Sequence, residues 1–281
     1  MHANFIPPAL GLTPRTYIGQ VIYSADAPQA TDIVPVHDSP DFEWLHDIDL
    51  QALDGQRALV PDRMIPLEVG NQLYSTGQRL DHINNITYAA PRVPTLLTAL
   101  SMGPVALDPR VYGAQTHAVV LEHNSIVELT INNPGALPHP LHLHGHAFQL
   151  IEFGPATTPL EIPEPFRNIA VRRAGTFPPR RDTVVVPEYN YMKIRFTADN
   201  PGVWFFHCHM DIHFAMGMGM VFVEAPDVLQ QTLRLPQQML DFCTSRNIPI
   251  TGNAVGKSGL DFAGLPPAPA IVARSPQSLP N

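Results

Sequence analysis

The sequence predicts an all-β protein: a Greek-key β-sandwich with short helices and a disordered C-terminal tail. Three observations carry this. Proline is abundant, at 31 of 281 residues, and apolar runs are short. Strand signals follow one another from about residue 61 to 225 at the spacing of a sandwich. The last 35 or so residues are rich in Pro, Gly and Ser.

In chain order, residues 1–60 are rich in Pro, Asp and loops and too small and open for a complete domain. They hold one short strand candidate, Thr16 to Tyr23, and a short helix or linker from Asp41 to Leu53. Ile126 to Ile131 partly alternates, and the apolar run Ala147 to Phe153 is bounded by Gly145 and Gly154. Val184 to Val186 ends at Pro187, Met192 to Phe196 alternates cleanly, Val203 to Phe206 follows the turn pair Pro201-Gly202, and Met218 to Val223 closes the series. The best helix candidate runs from Asp227 to about Ser245. No internal repeat is present.

Hydrophobic content of 44% supports a sizeable core, and a net charge of −8 without a basic cluster argues against nucleic acid or an anionic membrane surface as partner. No run reaches the roughly 18–20 apolar residues of a membrane span. The start MHANFIPPALGLTP lacks the charged and apolar regions of a signal peptide. Either the protein is intracellular or its true N-terminus lies upstream. Asn85-Ile86-Thr87 is a glycosylation acceptor only if the chain is secreted.

Two cysteines exclude a disulfide scaffold but allow one bridge. Cys208 sits between two histidines, where a bridge would waste a metal ligand. Cys243 is either a buried free thiol or pairs with a segment absent here.

Seven of the 13 histidines lie in two windows, HPLHLHGH (His139 to His146) and HCHMDIH (His207 to His213). His2, His37, His46, His82, His117 and His123 take the ordinary reading of surface or core imidazoles. On a strand, successive side chains face opposite ways. His207 and His209 then share one face and Cys208 takes the other, so one strand serves two metal sites back to back. His213, beyond a turn, can return to the cysteine side. His142 and His144 likewise share a face, while His139 addresses a different site. A thiolate with two imidazoles and a weak thioether is the blue-copper set; Cys208, His139, His213 and Met218 supply it. Met216 and Met220 read as core packing. Zinc is the rival metal, but structural zinc sites usually show more cysteines.

HPLHLHGHAF, NPGVWFFHCHMDIH and GMGMVFVE resemble the third-domain copper motifs of multicopper oxidases. With NNITYAAPRVPTL, VYGAQTHAVVLE and RRDTVVVP, residues 60–245 are similar to fungal laccases and the yeast-type ferroxidases. The resemblance implies cupredoxin-like domains: residues 1–60 a remnant of the second and a linker, 61–245 the third, and 246–281 a C-terminal tail. It implies that His139, Cys208 and His213 hold a type 1 copper, His142 a type 2 copper, and His144, His207 and His209 part of a type 3 pair. Electrons would pass from the Cys208 sulfur to His207 and His209, and oxygen would be reduced to water at the cluster. Asp211, at a position often acidic in the family, would aid proton delivery or be a solvated loop acid. His146 takes a supporting or packing role, and Asp182 either hydrogen-bonds near the copper region or pairs with Arg180 or Arg181.

The family's cluster needs eight histidines, and no His-x-His occurs outside the two windows. The chain is therefore expected to be a fragment, a truncated product or half of a split enzyme, with missing N-terminal domains as partners. In related laccases a C-terminal cysteine bridges to the first domain, which suits the unmatched Cys243. Iron-oxidising relatives carry an acid just before the His-Pro of the first window, whereas Asn133 to Pro138 contains none. That favours a laccase-type oxidase of phenols or related small aromatics, using O2, over oxidation of ferrous iron. A blue-copper electron-transfer module that cannot reduce oxygen is the non-catalytic alternative. Met218, where the family often has Leu or Phe, implies a low copper potential. The family implies secretion.

Overall fold

The computed structural model describes residues 2–4, 16–18, 24, 26, 46–157 and 169–264. The chain divides into two compact units, Met1–Leu45 and His46–Asn281. In the first, strands β1 (His2–Asn4) and β2 (Thr16–Ile18) pair antiparallel. The remainder of the strand expected over Thr16 to Tyr23 lies outside the described residues, as do residues 41–45 of the expected helix or linker.

The second unit is a two-sheet sandwich. One sheet runs β10 (Arg180–Arg181), β8 (Phe148–Pro155), β12 (Asn190–Thr197), β6 (Ile126–Asn133), β3 (Arg63–Leu73), β4 (Arg79–Ile83), with β9 (Arg172–Arg173) also on β8. The other runs β11 (Thr183–Val186), β7 (His139–Leu143), β13 (Gly202–Cys208), β14 (Gly219–Glu224), β5 (Ala118–Leu121). Strands begin or end within three residues of the expected runs because alternation marks the face that each must bury. In β7, His139, Leu141 and Leu143 are buried while Pro140 and His142 are less so. The core between the sheets holds Leu129, Ile131, Phe148, Ile194, Phe206 and Phe222, and it takes in Cys208, Met218 and Met220.

The second unit begins at His46, ahead of the domain start expected at residue 61. Arg172 binds Asp49, Arg180 binds Asp54 and Arg181 binds Asp47, clipping this segment to the sheet edge, and Ile48 is buried beneath it. Its one helical turn is the 3-10 stretch Asp47–Asp49.

Two expectations are corrected. The single helix from Asp227 to Ser245 is two: Pro226–Thr232 and Gln237–Thr244. Pro236 stands between them in extended conformation, lacking the N–H that a continuing helix needs. Nor is the tail disordered as far as residue 264. Asn253 is fully buried and accepts at Oδ1 from the N–H groups of Val255 and Lys257, while Ala254 donates to the Val111 carbonyl and accepts from Val93 N–H. Residues 265–281 lie outside the described residues. A helix not anticipated, α1 (Thr95–Ser101), helps to build a second apolar cluster around Ala99, Tyr112, Val221 and Leu229. The later helices are α2 (Asp211–Ala215), α3 (Pro226–Thr232) and α4 (Gln237–Thr244). Cys243 is a free, half-buried thiol on α4, a helix without a buried residue.

Candidate metal centre

β7 and β13 lie side by side with His142 opposite His207 and Leu141 opposite Cys208. The pleat sends each pair to one face. Cys208 is fully buried inside the sandwich. His139 reaches the same interior from the start of β7, and α2 returns His213 to it; both are buried. Cys208 Sγ lies 3.8 Å from His139 Nδ1 and 3.6 Å from His213 Nδ1, and the two nitrogens are 3.1 Å apart. A point equidistant from these three atoms lies about 2 Å from each, the bond length of N and S ligands to first-row metals. One thiolate and two imidazoles around that point are the donor set that would hold a copper ion of the blue type.

Protonation also fits. Burial lowers the His139 pKa to about 4, helped by His213, and burial lowers that of His213, so both rings are neutral and have lone pairs to give. Burial pushes the Cys208 thiol up to about 11, with Asp81 adding to the rise. Without a cation the site therefore holds a thiol; a bound divalent ion would displace its proton.

The loop to the fourth expected donor is tied to the triangle. Cys208 N–H donates to the Met218 carbonyl (3.1 Å) and Met218 N–H to the His213 carbonyl (3.0 Å). The Met218 side chain is fully buried in the core that holds Cys208. Met220 packs in that core opposite Phe206, as expected, and Met216 is half-buried.

On the other face four imidazoles converge. Ring centroids of His142 stand 4.9 Å from His144 and 5.8 Å from both His207 and His209, with 5.9 Å between His207 and His209. Nε2 of His144 and Nε2 of His207 are 3.1 Å apart. His142 Nδ1 donates to the Asp182 carbonyl at 2.9 Å, with Thr183 Oγ1 also at 2.9 Å, which turns its Nε2 toward the group. His207 Nδ1 donates to the Cys208 carbonyl at 2.9 Å, and Phe205 stacks on the His207 ring. Partial burial first, and the neighbouring imidazoles second, lower the pKa of His144; burial leads in lowering that of His207 too. The shifts at His144 and His207 favour the neutral ring, the form with a lone pair to give a metal.

Asp211 is exposed in the first turn of α2, two residues past His209. His146 is buried against Phe196 and Trp204 and joins neither group of donors. The salt bridge considered between Asp182 and Arg180 or Arg181 is not made, since those arginines bind Asp54 and Asp47. Asp182 instead accepts from Thr183 beside His142. The sequence reading missed Asp81. It is buried on β4, its Oδ2 has no hydrogen-bond partner, and burial raises its pKa to about 6. Its only trace in the sequence is an acid inside the short strand RLDHI.

A family profile described as "Multicopper oxidase" matches residues 88–228. The chain belongs to the multicopper oxidase family. This family carries copper ions of types 1, 2 and 3, and the donor sets above suit them. The chain is 40% identical over 234 residues to the iron transport multicopper oxidase FET5 of Saccharomyces cerevisiae, a match covering 78% of this chain and 36% of that protein. It is 38% identical to the iron multicopper oxidase fer1 of Mycosarcoma maydis, covering 83% and 37%. The crystal structure of Fet3p, a multicopper oxidase that functions in iron import, matches with TM-score 0.71 and 36% identity, covering 86% of this chain and 46% of that one. The laccase of Botrytis aclada matches with TM-score 0.54 at 23% identity over 80% and 39%, a likeness of fold alone. The fold is thus cupredoxin-like. The chain spans between about a third and two fifths of the length of the curated relatives.

These relatives overturn the expectation of a laccase-type oxidase acting on small aromatics. That expectation leaned on the missing acid in Asn133 to Pro138, one local feature, whereas similarity to iron multicopper oxidases runs along 234 aligned residues.

Proposed function

We propose that this chain is the C-terminal copper-carrying part of an iron-oxidising multicopper oxidase, which takes electrons from ferrous iron and reduces O2 to water. The likeness to proteins named for iron transport supports the substrate. One observation carries the site: a buried Cys208–His139–His213 triangle on one face of β7 and β13, with four imidazoles on the other.

In this reading His139, Cys208 and His213 hold the type 1 copper, with Met218 as the weak fourth ligand. His142 serves the type 2 copper, and His144, His207 and His209 serve the type 3 pair. The remaining imidazoles and the other domains come from outside this chain. Copper bound there supplies one-electron oxidation of substrate and the reduction of oxygen. The protein's part is to favour the neutral ring at His139, His144, His207 and His213, to release the Cys208 proton, and to aim His142 and His207 through their Nδ1 hydrogen bonds. Asp211, exposed beside His209, is the carboxylate offered for proton delivery. A location outside the cell belongs to the same proposal.

The test uses the copper-loaded chain. A blue thiolate absorption band should form and be bleached by ferrous iron faster than by a simple phenol. A band that a phenol bleaches and ferrous iron leaves intact would sink the iron reading.

A further inference from the structure

His146 follows the imidazole pair His142 and His144 but is turned away from it. Its side chain is 4% exposed, and Nε2 lies 2.8 Å from Oε2 of Glu224, which is fully buried. The contact is close but off the line of a straight hydrogen bond, and neither atom has a hydrogen-bond partner elsewhere among the described residues. The other Glu224 oxygen accepts from the N–H of Asn200. Asn200 Nδ2 in turn donates to the Gly145 carbonyl at 3.0 Å, and Trp204 Nε1 donates to the Asn200 carbonyl at 2.7 Å. Gly145 and His146 are joined by a peptide bond, so His146, Glu224, Asn200 and Gly145 form a closed ring.

That ring sits one residue beyond His144. Gly145 has φ +73°, and a Cβ there would lie 2.5 Å from the Trp204 indole. The backbone thus turns sharply inward directly after the outward-facing His144. On the other side, His144 N–H donates to the Phe205 carbonyl at 2.9 Å. His144 is therefore held at both ends, by β13 before it and by the buried ring after it. Its Nε2 lies 3.1 Å from Nε2 of His207, so the two rings already face each other across the space a metal would share.

We propose that His146 is a positioning residue: through Glu224 and Asn200 it locks the turn at Gly145 and so sets the His144 imidazole toward His207 for metal binding. Burying the Glu224 carboxylate with one imidazole and one N–H costs desolvation energy that their attraction need not repay, whereas an apolar pair there would not. A packing role alone would be served by an apolar ring among Phe196 and Trp204. This inference rests on the reading of the four imidazoles as copper ligands.

The test compares the full 281-residue chain with His146→Phe, His146→Gln and Glu224→Gln. Cupric ion is titrated in while two signals are followed: the Cys208 thiolate band, and imidazole-bound copper by electron paramagnetic resonance. His146→Phe should weaken the imidazole group about 10–100-fold, as loss of a partner that orients a ligand does, and leave the thiolate band unchanged. His146→Gln, which keeps a donor, should recover most of the affinity. Wild-type affinity in His146→Phe overturns the proposal, as does loss of both signals together with no rescue by glutamine, since that marks a folding role. If His146→Phe does not fold, Glu224→Gln decides: partial weakening of the imidazole group alone supports the proposal, and no change overturns it. Should the wild-type imidazoles take up no copper, the ligand reading fails instead. The metal-free His144 ring signals in 1H–15N spectra then decide: splitting or broadening in His146→Phe supports the lock, and unchanged signals overturn it.

Discussion

His207 and Cys208 are consecutive, yet they serve opposite faces of one sheet, and the ring of His207 donates through Nδ1 to the Cys208 carbonyl at 2.9 Å. The Cys208 side chain is fully buried while the His207 ring stands among the outward imidazoles. One peptide thus joins the two side-chain groups, and its carbonyl orients the imidazole on the far side.

Metal binding at the triangle should depend on pH in a defined direction. His139 is neutral above about 4, and His213 is held neutral by burial, so neither competes near neutrality. The Cys208 thiol, pushed up to about 11, must lose a proton for each metal bound. Cobalt(II) affinity should then rise by about tenfold per pH unit between pH 6 and 9, with one proton released per ion. Calorimetry in buffers of different ionisation enthalpy measures that release; none at pH 7 would show the thiol already ionised.

Met218→Leu should keep the blue thiolate band and raise the copper reduction potential, because a weak sulfur donor to the cupric state is lost. A spectroelectrochemical titration reads this directly. An unchanged potential would remove Met218 from the ligand set and leave it a core residue.

Asp81→Asn should stabilise the metal-free chain above neutral pH. The folded-state pKa of Asp81 is about 6 against 3.8, so the folded state binds its proton more tightly. Well below pH 3.8 the group is protonated in both states and costs nothing. As pH rises to 6 the unfolded chain ionises first and stability falls, and above 6 the penalty is complete. The amide should recover on the order of 2 kcal/mol at pH 8 and little at pH 4. Urea denaturation at both values checks this, and an equal effect at both would assign the change to packing.

Gly217→Ala should damage the thiolate site. Gly217 has φ +103°, and a Cβ would come 2.3 Å from Thr87 Cγ2 and 3.2 Å from the Tyr88 backbone. Its carbonyl accepts from Tyr88 N–H, and it lies in the loop between His213 and Met218. A loss of about 2 kcal/mol or more is expected, together with a shifted thiolate band. A band identical to wild type would show that the loop relaxes without moving its donors.

The fold class was legible because alternation in runs such as Met192 to Phe196 reports the burial of one face, a local property. The division of the candidate donors was legible for the same reason: HCH on a strand can only divide its side chains between two faces. Helix ends were less so. The run from Asp227 to Ser245 reads as one helix until Pro236 is given its conformation, and α1 carries no alternation to announce it.

By itself, then, the sequence determined the sandwich, the two histidine windows and the division of their side chains, all consequences of period-two geometry within one strand. Only tertiary structure decided what meets across strands. It left Asp81 Oδ2 without a hydrogen-bond partner in the interior, aimed His142 with the Asp182 carbonyl, packed residues 246–264 onto the body, and closed the ring of His146, Glu224, Asn200 and Gly145. Those contacts join residues far apart in the chain, and no local pattern encodes which distant partner a buried polar group will find.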